Sequence, residues 1–597
     1  MSTVHFFIRS IKNFTPGLRP LLTIRLPFTA RITASPLLLF TLLFLMISQP
    51  SAAQVGNPVS WKNGVVSSAD EYASKAGLEI LQKGGNAVDA AVAVQFALSV
   101  TLPRAGNIGG GGFLVLHLQD GTAAALDFRE KAPIAASRDM YLNENGEYVS
   151  RKSKIGHLAA GIPGTVDGMI TALERYGTLP LEIVMEPAIR LAREGFILSH
   201  SAARSLNSAS ERLSEYRGSA DAFLKPGGTP WEPGDLFLQP DLAETLERIA
   251  TLGRRGFYSG ITASLIVEEM KRGGGLITMR DLRDYRSIWR EPVRTNFRGY
   301  ELIMMPPPSS GGIVMTQVLG MINRPELDTT AFNSAAYIHL ISEALRRSFA
   351  DRNYWLGDPD FVPVPADSLT SPHYLRLRMQ SFSPDTASDS ERISHGDVIH
   401  TVQESSETTH FNVADRFGNV VSVNTTLNGS FGSFVTVTGA GFLLNNEMDD
   451  FSAKPGEPNM FGLIGAEANS IQGGKRMLSS MNPVIALKDG RFRFAGGAAG
   501  GPRIITAVLQ NFLNMALFGM NAKEAIAAPR FHHQWLPDQI LVENLWFSED
   551  TIEKLNKMGH NVRRSGNLAI VHTIASDQEG NYVGAADPRG PGYVAGY

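Results

Sequence analysis

Thr408-Thr409-His410-Phe411-Asn412-Val413, Asp415-Arg416-Phe417-Gly418-Asn419 and Val420-Val421-Ser422-Val423-Asn424-Thr425-Thr426-Leu427 decide the fold. Thr409 to Val413 and Val420 to Leu427 read as two strands around a hairpin turn. Upstream, Ser381 to Glu407 is rich in Ser, Asp, Glu and Thr, with no stable amphipathic period. An exposed segment therefore runs straight into a buried sheet, with a Thr at the junction. If the chain is cut before Thr408, that residue gains a free α-amine beside its hydroxyl. This is one way to activate a weak oxygen nucleophile. An ordinary strand-initiating Thr is the alternative on this stretch alone. A loop centred on Phe417 sets Thr408 opposite Thr426, with Cβ atoms about 5 Å apart. A register one residue off brings Leu427 there instead. Asn428 follows at the strand end, where a polar side chain can reach a pocket.

Working outward, the bulk properties narrow the class. A chain of 597 residues buries a large core, and length alone suggests three or four domains. With 55 basic and 58 acidic residues, charge gives no sign of a nucleic-acid partner. The 58 glycines and 43% apolar content suit a globular α/β protein with many tight turns. The first 53 residues stand apart. They carry Arg9, Lys12, Arg19, Arg25 and Arg31 and no acid; an apolar run, Leu37 to Ile47, is followed by Ser51-Ala52-Ala53. That order reads as a secretory signal cut after Ala53, its apolar core too short to span a bilayer comfortably; the long basic stretch leaves an uncleaved signal, the one route to a membrane, or a different start codon as the alternatives. The absence of Cys excludes disulfides, thiolate metal sites and Cys nucleophiles.

Asp70 to Val100 predicts two helices broken at Gly84-Gly85, with Asn86 capping the second. The run Gly109 to Gly112 leads into a strand and lacks the pattern of a phosphate or dinucleotide loop, so it reads as close backbone packing. Thr178 to Arg283 is mostly helical. Pro306 to Gly312 is a rigid turn before a helix starting near Ile313, and Ala335 to Phe349 has a helical period. Past Glu407 the chain is strand-rich, then alternates strand and helix. Three further clusters carry chemistry. Asn445 to Phe451 gathers acceptors suited to a cation or an ammonium group, with a solvated turn as the alternative. Leu478-Ser479-Ser480-Met481 offers adjacent hydroxyls. Gly500-Gly501, between a strand and the apolar run Ile504 to Phe518, presents N–H groups to an anion. Pro455 to Gly473 is long enough to form a lid. The adjacent His532-His533 lack metal-ligand spacing and read as structural.

Together, Thr408-Thr409-His410, Thr426-Leu427-Asn428, Asn445 to Phe451, Leu478 to Met481 and Gly500-Gly501 resemble the γ-glutamyltransferase (γ-glutamyltranspeptidase) family in order and spacing. Matches read as lying outside the site are Gly84 to Ala91, Asn107 to Phe113, Asp127-Phe128-Arg129-Glu130, Pro306 to Gly312, Gly357 to Phe361 and Pro529 to Trp535. The resemblance runs from about Gly56 to Tyr597 and is to the bacterial periplasmic type. It implies an N-terminal nucleophile hydrolase, a four-layer αββα sandwich of α/β (α+β) class. The precursor cuts itself between Glu407 and Thr408 into a large subunit (54–407) and a small subunit (408–597), which stay together as a heterodimer.

The resemblance also implies roles. Thr408 attacks the γ-carbonyl of glutathione or another γ-glutamyl compound, with Thr426 beside it and the Gly500 and Gly501 N–H groups holding the oxyanion. Water, an amino acid or a dipeptide then takes the γ-glutamyl group. Arg129, Ser479 and Ser480 bind the substrate α-carboxylate; Asn428, Glu447 and Asp450 bind its α-ammonium. No cofactor or metal is implied. The chain departs from the family pattern at Glu447, where many bacterial members have Gln. Phe461 replaces a Tyr of some relatives, Ala498-Ala499 a common Ser-Pro, and Met477 a Pro. Two rivals remain: a related acylase removing glutaryl side chains from β-lactams, and an exported binding protein that never matures.

Overall fold

The structure, a computed structural model, describes residues 58–396, 407–454, 467–544 and 546–597. Two seven-stranded sheets, antiparallel throughout, dominate it. One runs in the order Tyr593–Gly596, Gly64–Ser68, Glu407–Asp415, Val420–Asn428, Gly111–His117, Ala123–Phe128, Ile288–Arg290. The other runs Ser60–Trp61, Tyr582–Ala586, Ile570–Ser576, Arg491–Ala499, Val484–Lys488, Tyr300–Met304, Val293–Phe297. Each sheet mixes strands from before and after Thr408, so no boundary falls there. Gly56–Tyr597 is one compact unit, which corrects the length-based count of three or four domains.

Strand alternation builds the layers. Leu114, Leu116, Phe411, Val413, Val421 and Val423 face one way, into a core with the helices Glu71–Gln82 and Ala87–Thr101. Phe113, Val115, Ala414 and Val420 face the other way, into a core shared with the second sheet. The helices Gly311–Ile322, Ala335–Trp355 and Arg503–Phe518 close that side. This is the αββα sandwich. Polar residues stitch the sheets together: the Asn412 amide donates to His572 O at 2.9 Å and the Asn424 amide to Ala498 O at 2.9 Å.

Local chemistry sets the elements as the sequence predicts. Asn86 caps Ala87–Thr101 with a full capping box. The four-glycine run is close packing: a Cβ on Gly110 would lie 2.0 Å from Thr426 O, and one on Gly112 2.1 Å from Asn424 O. Only glycine lets the Gly111–His117 strand approach so near, and the Thr426 strand is held in place by it. Two expectations change. The helix expected to end at Phe349 continues to Trp355, and it is buried from Tyr337 to Asn353. Asn445 to Phe451 is not a solvated turn: Glu447–Asp450 is a fully buried 3₁₀ turn. The signal segment, Phe461 and most of the lid stretch lie outside the described residues. Among the described residues no helix is long and apolar enough to cross a membrane.

Candidate active site

The hairpin pairs symmetrically about Phe417 from Thr409↔Thr425 to Ala414↔Val420. It then slips by one residue, so that Glu407 pairs with Asn428. The place opposite Thr408 is therefore spanned by both Thr426 and Leu427, which merges the two registers the sequence left open. Such bulges re-aim side chains next to active sites. The bulge is fixed by the Asn428 N–H donating to Thr426 Oγ1 at 2.7 Å and by the Asn107 amide donating to Thr426 O at 2.9 Å. Asn428 itself has φ +72°, in the left-handed region, and its amide donates to Asn446 O at 3.0 Å.

Thr408, Thr426, Asn428, Arg129, Glu447, Asp450, Ser479 and Ser480 line one cavity of about 190 Å³. Met481 and Ile504 complete the wall. Gly500 and Gly501 are not in it. They join the Arg491–Ala499 strand to the Arg503–Phe518 helix, one turn before Ile504, with φ +146° and +62°. A Cβ on Gly500 would meet Ala569 Cβ at 2.9 Å. Eight of the ten predicted site residues thus converge, with the glycines at the head of the adjoining helix.

Buried charge is concentrated around Arg129. Arg129 is fully buried and pairs with Glu447, Asp450 and, at 3.3 Å, Glu130. One guanidinium faces three carboxylates. Its Nε donates to Met477 O and its Nη2 to Leu478 O as well. Burial pushes the Glu130 carboxyl up to about 7, against the pull of Arg129. Of these carboxylates, Glu447 and Asp450 line the cavity, where they can accept hydrogen bonds from a bound cation.

The sequence profile of the gamma-glutamyltranspeptidase family matches residues 73–597. The chain belongs to this family. It is 45% identical over 536 residues to the glutathione hydrolase proenzyme of Escherichia coli K12, covering 90% of this chain and 92% of that one. Among solved structures, Helicobacter pylori gamma-glutamyltranspeptidase is 44% identical, covering 58% of this chain and 98% of that chain, with a TM-score of 0.55. The cephalosporin acylase of Bacillus halodurans is 26% identical, covering 91% and 97%, with a TM-score of 0.79.

Two stretches read as lying outside the site in this family member belong to it. Glu130 sits on Arg129, and the Pro306 to Gly312 turn grips the serine strand: Ser310 N and Oγ donate to Ser479 O at 2.7 and 2.8 Å, and Ser309 Oγ donates to Met481 O at 2.6 Å. Arg352, from the helix continuation, reaches Ser480 and escaped sequence reading. His532 and His533 are held within the protein, by Thr506 and Gln534 and by the Trp535 N–H and Asp538 respectively. His339, Glu343 and His560 also cluster. There His339 Nδ1 and His560 Nε2 share a hydrogen bond at 2.7 Å, and Glu343 accepts from Arg346, Arg347 and Ser388.

Buried histidines give this fold an acid limit. Burial holds His410, His532 and His560 down to about 3 and His572 to about 4. Below an unfolded value of about 6.5, the unfolded chain takes up protons that the folded chain refuses, so stability falls as pH falls. Each histidine costs about 1.4 kcal/mol per pH unit in that window, and stability is flat above it. The raised carboxyls of Glu130, Asp70, Asp351, Asp358 and Asp449 work in the opposite sense, while the lowered His117, His339 and His533 add to the histidine effect. Denaturation midpoints measured from about pH 7.5 to about pH 5.5 are expected to drop steeply below about 6.5; a constant midpoint would refute this.

Proposed function

We propose that this chain is a self-processing γ-glutamyl hydrolase and transferase, exported to the periplasm and cut at Glu407–Thr408 into subunits 54–407 and 408–597. The observation that carries it is the cavity that brings a bulged, hydroxyl-bearing Thr408 and Thr426 together with one guanidinium and two carboxylates, Glu447 and Asp450. In the precursor, the Thr408 hydroxyl adds to the Glu407 carbonyl and the acyl group shifts from N to O. That shift breaks the C–N bond and frees the Thr408 amine; water then hydrolyses the ester, releasing the Glu407 carboxylate and restoring the Thr408 hydroxyl. That amine, with a reference value of about 7.7–8.0, accepts the hydroxyl proton near neutral pH. Thr408 Oγ then attacks the γ-carbonyl, and the leaving amine takes the proton. The N–H groups of Gly500 and Gly501 stabilise the oxyanion, typically worth several kcal/mol. Water or an acceptor amine resolves the γ-glutamyl ester.

The electrostatics select the donor. Eight of the ten residues lining the cavity are polar or charged, a lining that suits the γ-glutamyl head of glutathione. That head is a zwitterion. Its ammonium donates to Glu447, Asp450 and Asn428. Its carboxylate takes N–H and O–H donors from Arg129, Ser479 and Ser480. Binding exchanges the internal pairs of Arg129 for intermolecular ones. An acyl group without an ammonium, as in a glutaryl side chain, leaves Glu447 and Asp450 without that donor, which sets this reading above the acylase reading.

Intact mass with N-terminal sequencing, followed by incubation with glutathione, tests the proposal. Two N-termini are expected, at Gln54 and Thr408, together with release of glutamate and cysteinylglycine. One uncut inactive chain would overturn the reading in favour of a binding protein.

A further inference from the structure

We propose that Asn107 and Thr165, both of the large subunit, are positioning residues that hold Thr426 beside the Thr408 nucleophile of the small subunit, an inference that rests on the function proposed above. The strand Val420–Asn428 pairs with Gly111–His117 only as far as Thr426↔Gly111. One residue further, Gly110 leaves the ladder. Its N–H donates to Asn107 Oδ1 at 3.0 Å, and its carbonyl accepts from the N–H groups of Gly164 and Thr165 at 2.7 and 3.0 Å. The Asn107 side chain takes over where the ladder stops.

Asn107 is 3% exposed, and its amide has one orientation. Oδ1 accepts from the Gly110 N–H and from Thr165 Oγ1, the latter at 2.7 Å. Nδ2 faces three oxygens: Thr426 O at 2.9 Å, Thr425 Oγ1 at 3.1 Å and Ala105 O at 3.1 Å. A flipped amide would set oxygen against oxygen. Thr425 Oγ1 passes its own proton to Gly111 O at 3.2 Å. Thr165 is the first residue of the helix Thr165–Tyr176 and is fully buried. Its bond to Oδ1 polarises the amide and strengthens the Nδ2 donors.

The cut raises the importance of this hold. In the uncut chain Thr408 is clamped on both sides, by Glu407↔Asn428 and by Thr409↔Thr425. Cleavage removes the first clamp from the nucleophile, because Glu407 becomes the end of another chain. The hold of Asn107 on Thr426 O does not pass through Glu407 and persists. Misplacing a reacting group by about 1 Å is enough to slow chemistry severely. Asn107 makes no hydrogen bond to the groups assigned to the donor's ammonium and carboxylate. Turnover therefore depends on the pair more than donor binding or maturation does.

Wild type, Asn107→Ser, Thr165→Val and Thr165→Ser are followed for the rate of cleavage before Thr408 and, once cut, for kcat and KM on a γ-glutamyl anilide. A serine at 107 is too short to reach Thr426 O. It is expected to lower kcat about tenfold, to leave KM within about twofold and to slow cleavage only about twofold. Thr165→Val leaves Asn107 Oδ1 its bond from Gly110, so no polar atom is stranded. It is expected to lose about threefold in kcat, and it carries the comparison if Asn107→Ser does not fold. Thr165→Ser keeps the hydroxyl and is expected to restore the wild-type kcat. An unchanged kcat in both Asn107→Ser and Thr165→Val would overturn the proposal. So would a loss shared equally by kcat, KM and the denaturation midpoint, which would assign the pair to the fold. A wild type that cuts itself yet leaves the anilide intact would instead overturn the γ-glutamyl reading. Acetylation of Thr408 by 4-nitrophenyl acetate, read by intact mass, then makes the same comparison.

Discussion

Thr408→Ala is expected to leave a single uncut chain and to abolish γ-glutamyl transfer, a loss of at least about 10⁴-fold in kcat. Both consequences come from one oxygen. Without it nothing adds to the Glu407 carbonyl, so the scissile peptide keeps the roughly planar, unreactive geometry of any other. Without cleavage the Thr408 nitrogen remains an amide and cannot act as a base. The fold should be untouched: the side chain is small, the ladder from Thr409 to Ala414 does not use it, and the bulge is held by Asn428 and Asn107. Thr408→Ser separates the two effects. It keeps the hydroxyl and loses only the methyl group that stiffens χ1, so cutting and turnover are expected to persist at reduced rates. Denaturing gels, intact mass and a γ-glutamyl anilide assay read all three proteins. Cleavage at Glu407–Thr408 in the Ala variant would show that another group performs the cut.

Sequence reasoning reached this site because its parts are local. The hairpin, the Gly-Asn turn and the capped helix at Asn86 are each written in a few adjacent residues, and neighbouring backbone geometry follows from them. The αββα layering came from the resemblance; the strand alternation of Phe411, Val413, Val421 and Val423 is its physical basis. What stayed hidden is non-local. Arg352 belongs to a helix whose Glu343, Arg346, Arg347 and Asp351 are residue types that ordinarily lie in water. They are buried, with Glu343 satisfied by Arg346 and Arg347 and Asp351 by Arg378, so the polar stripe that normally marks an exposed surface is absent. The bulge was equally out of reach: periodicity allows one register or its neighbour, and only the Thr426 contacts from Asn428 and Asn107 make the strand take both. The pairing of Arg129 with the acids at 447 and 450 joins positions over 300 residues apart, which no spacing rule encodes.

Asp450→Asn is expected to raise KM for γ-glutamyl donors by about 10²-fold or more while kcat falls far less and the protein becomes no less stable. Asp450 is 3% exposed and pairs with Arg129, which also faces Glu447 and Glu130. Removing one carboxylate leaves two on one guanidinium, so folding loses little; three acids on one base is an arrangement that self-repulsion disfavours. The donor ammonium loses more. The amide oxygen of Asn can still accept one hydrogen bond, but it brings no charge, and its NH₂ can turn toward the ammonium. Losing one charged partner in a desolvated site costs about 2–5 kcal/mol. Glu447→Gln should be milder, because Gln stands at this position in many bacterial members that the sequence resembles. Steady-state kinetics with a γ-glutamyl anilide, set beside denaturation midpoints, measure the two sides. An unchanged KM would mean that the ammonium sits elsewhere. A large fall in stability would mean that the three acids serve the fold first. The expected result, weaker binding in an equally stable protein, assigns the Asp450 charge to the substrate rather than to the fold.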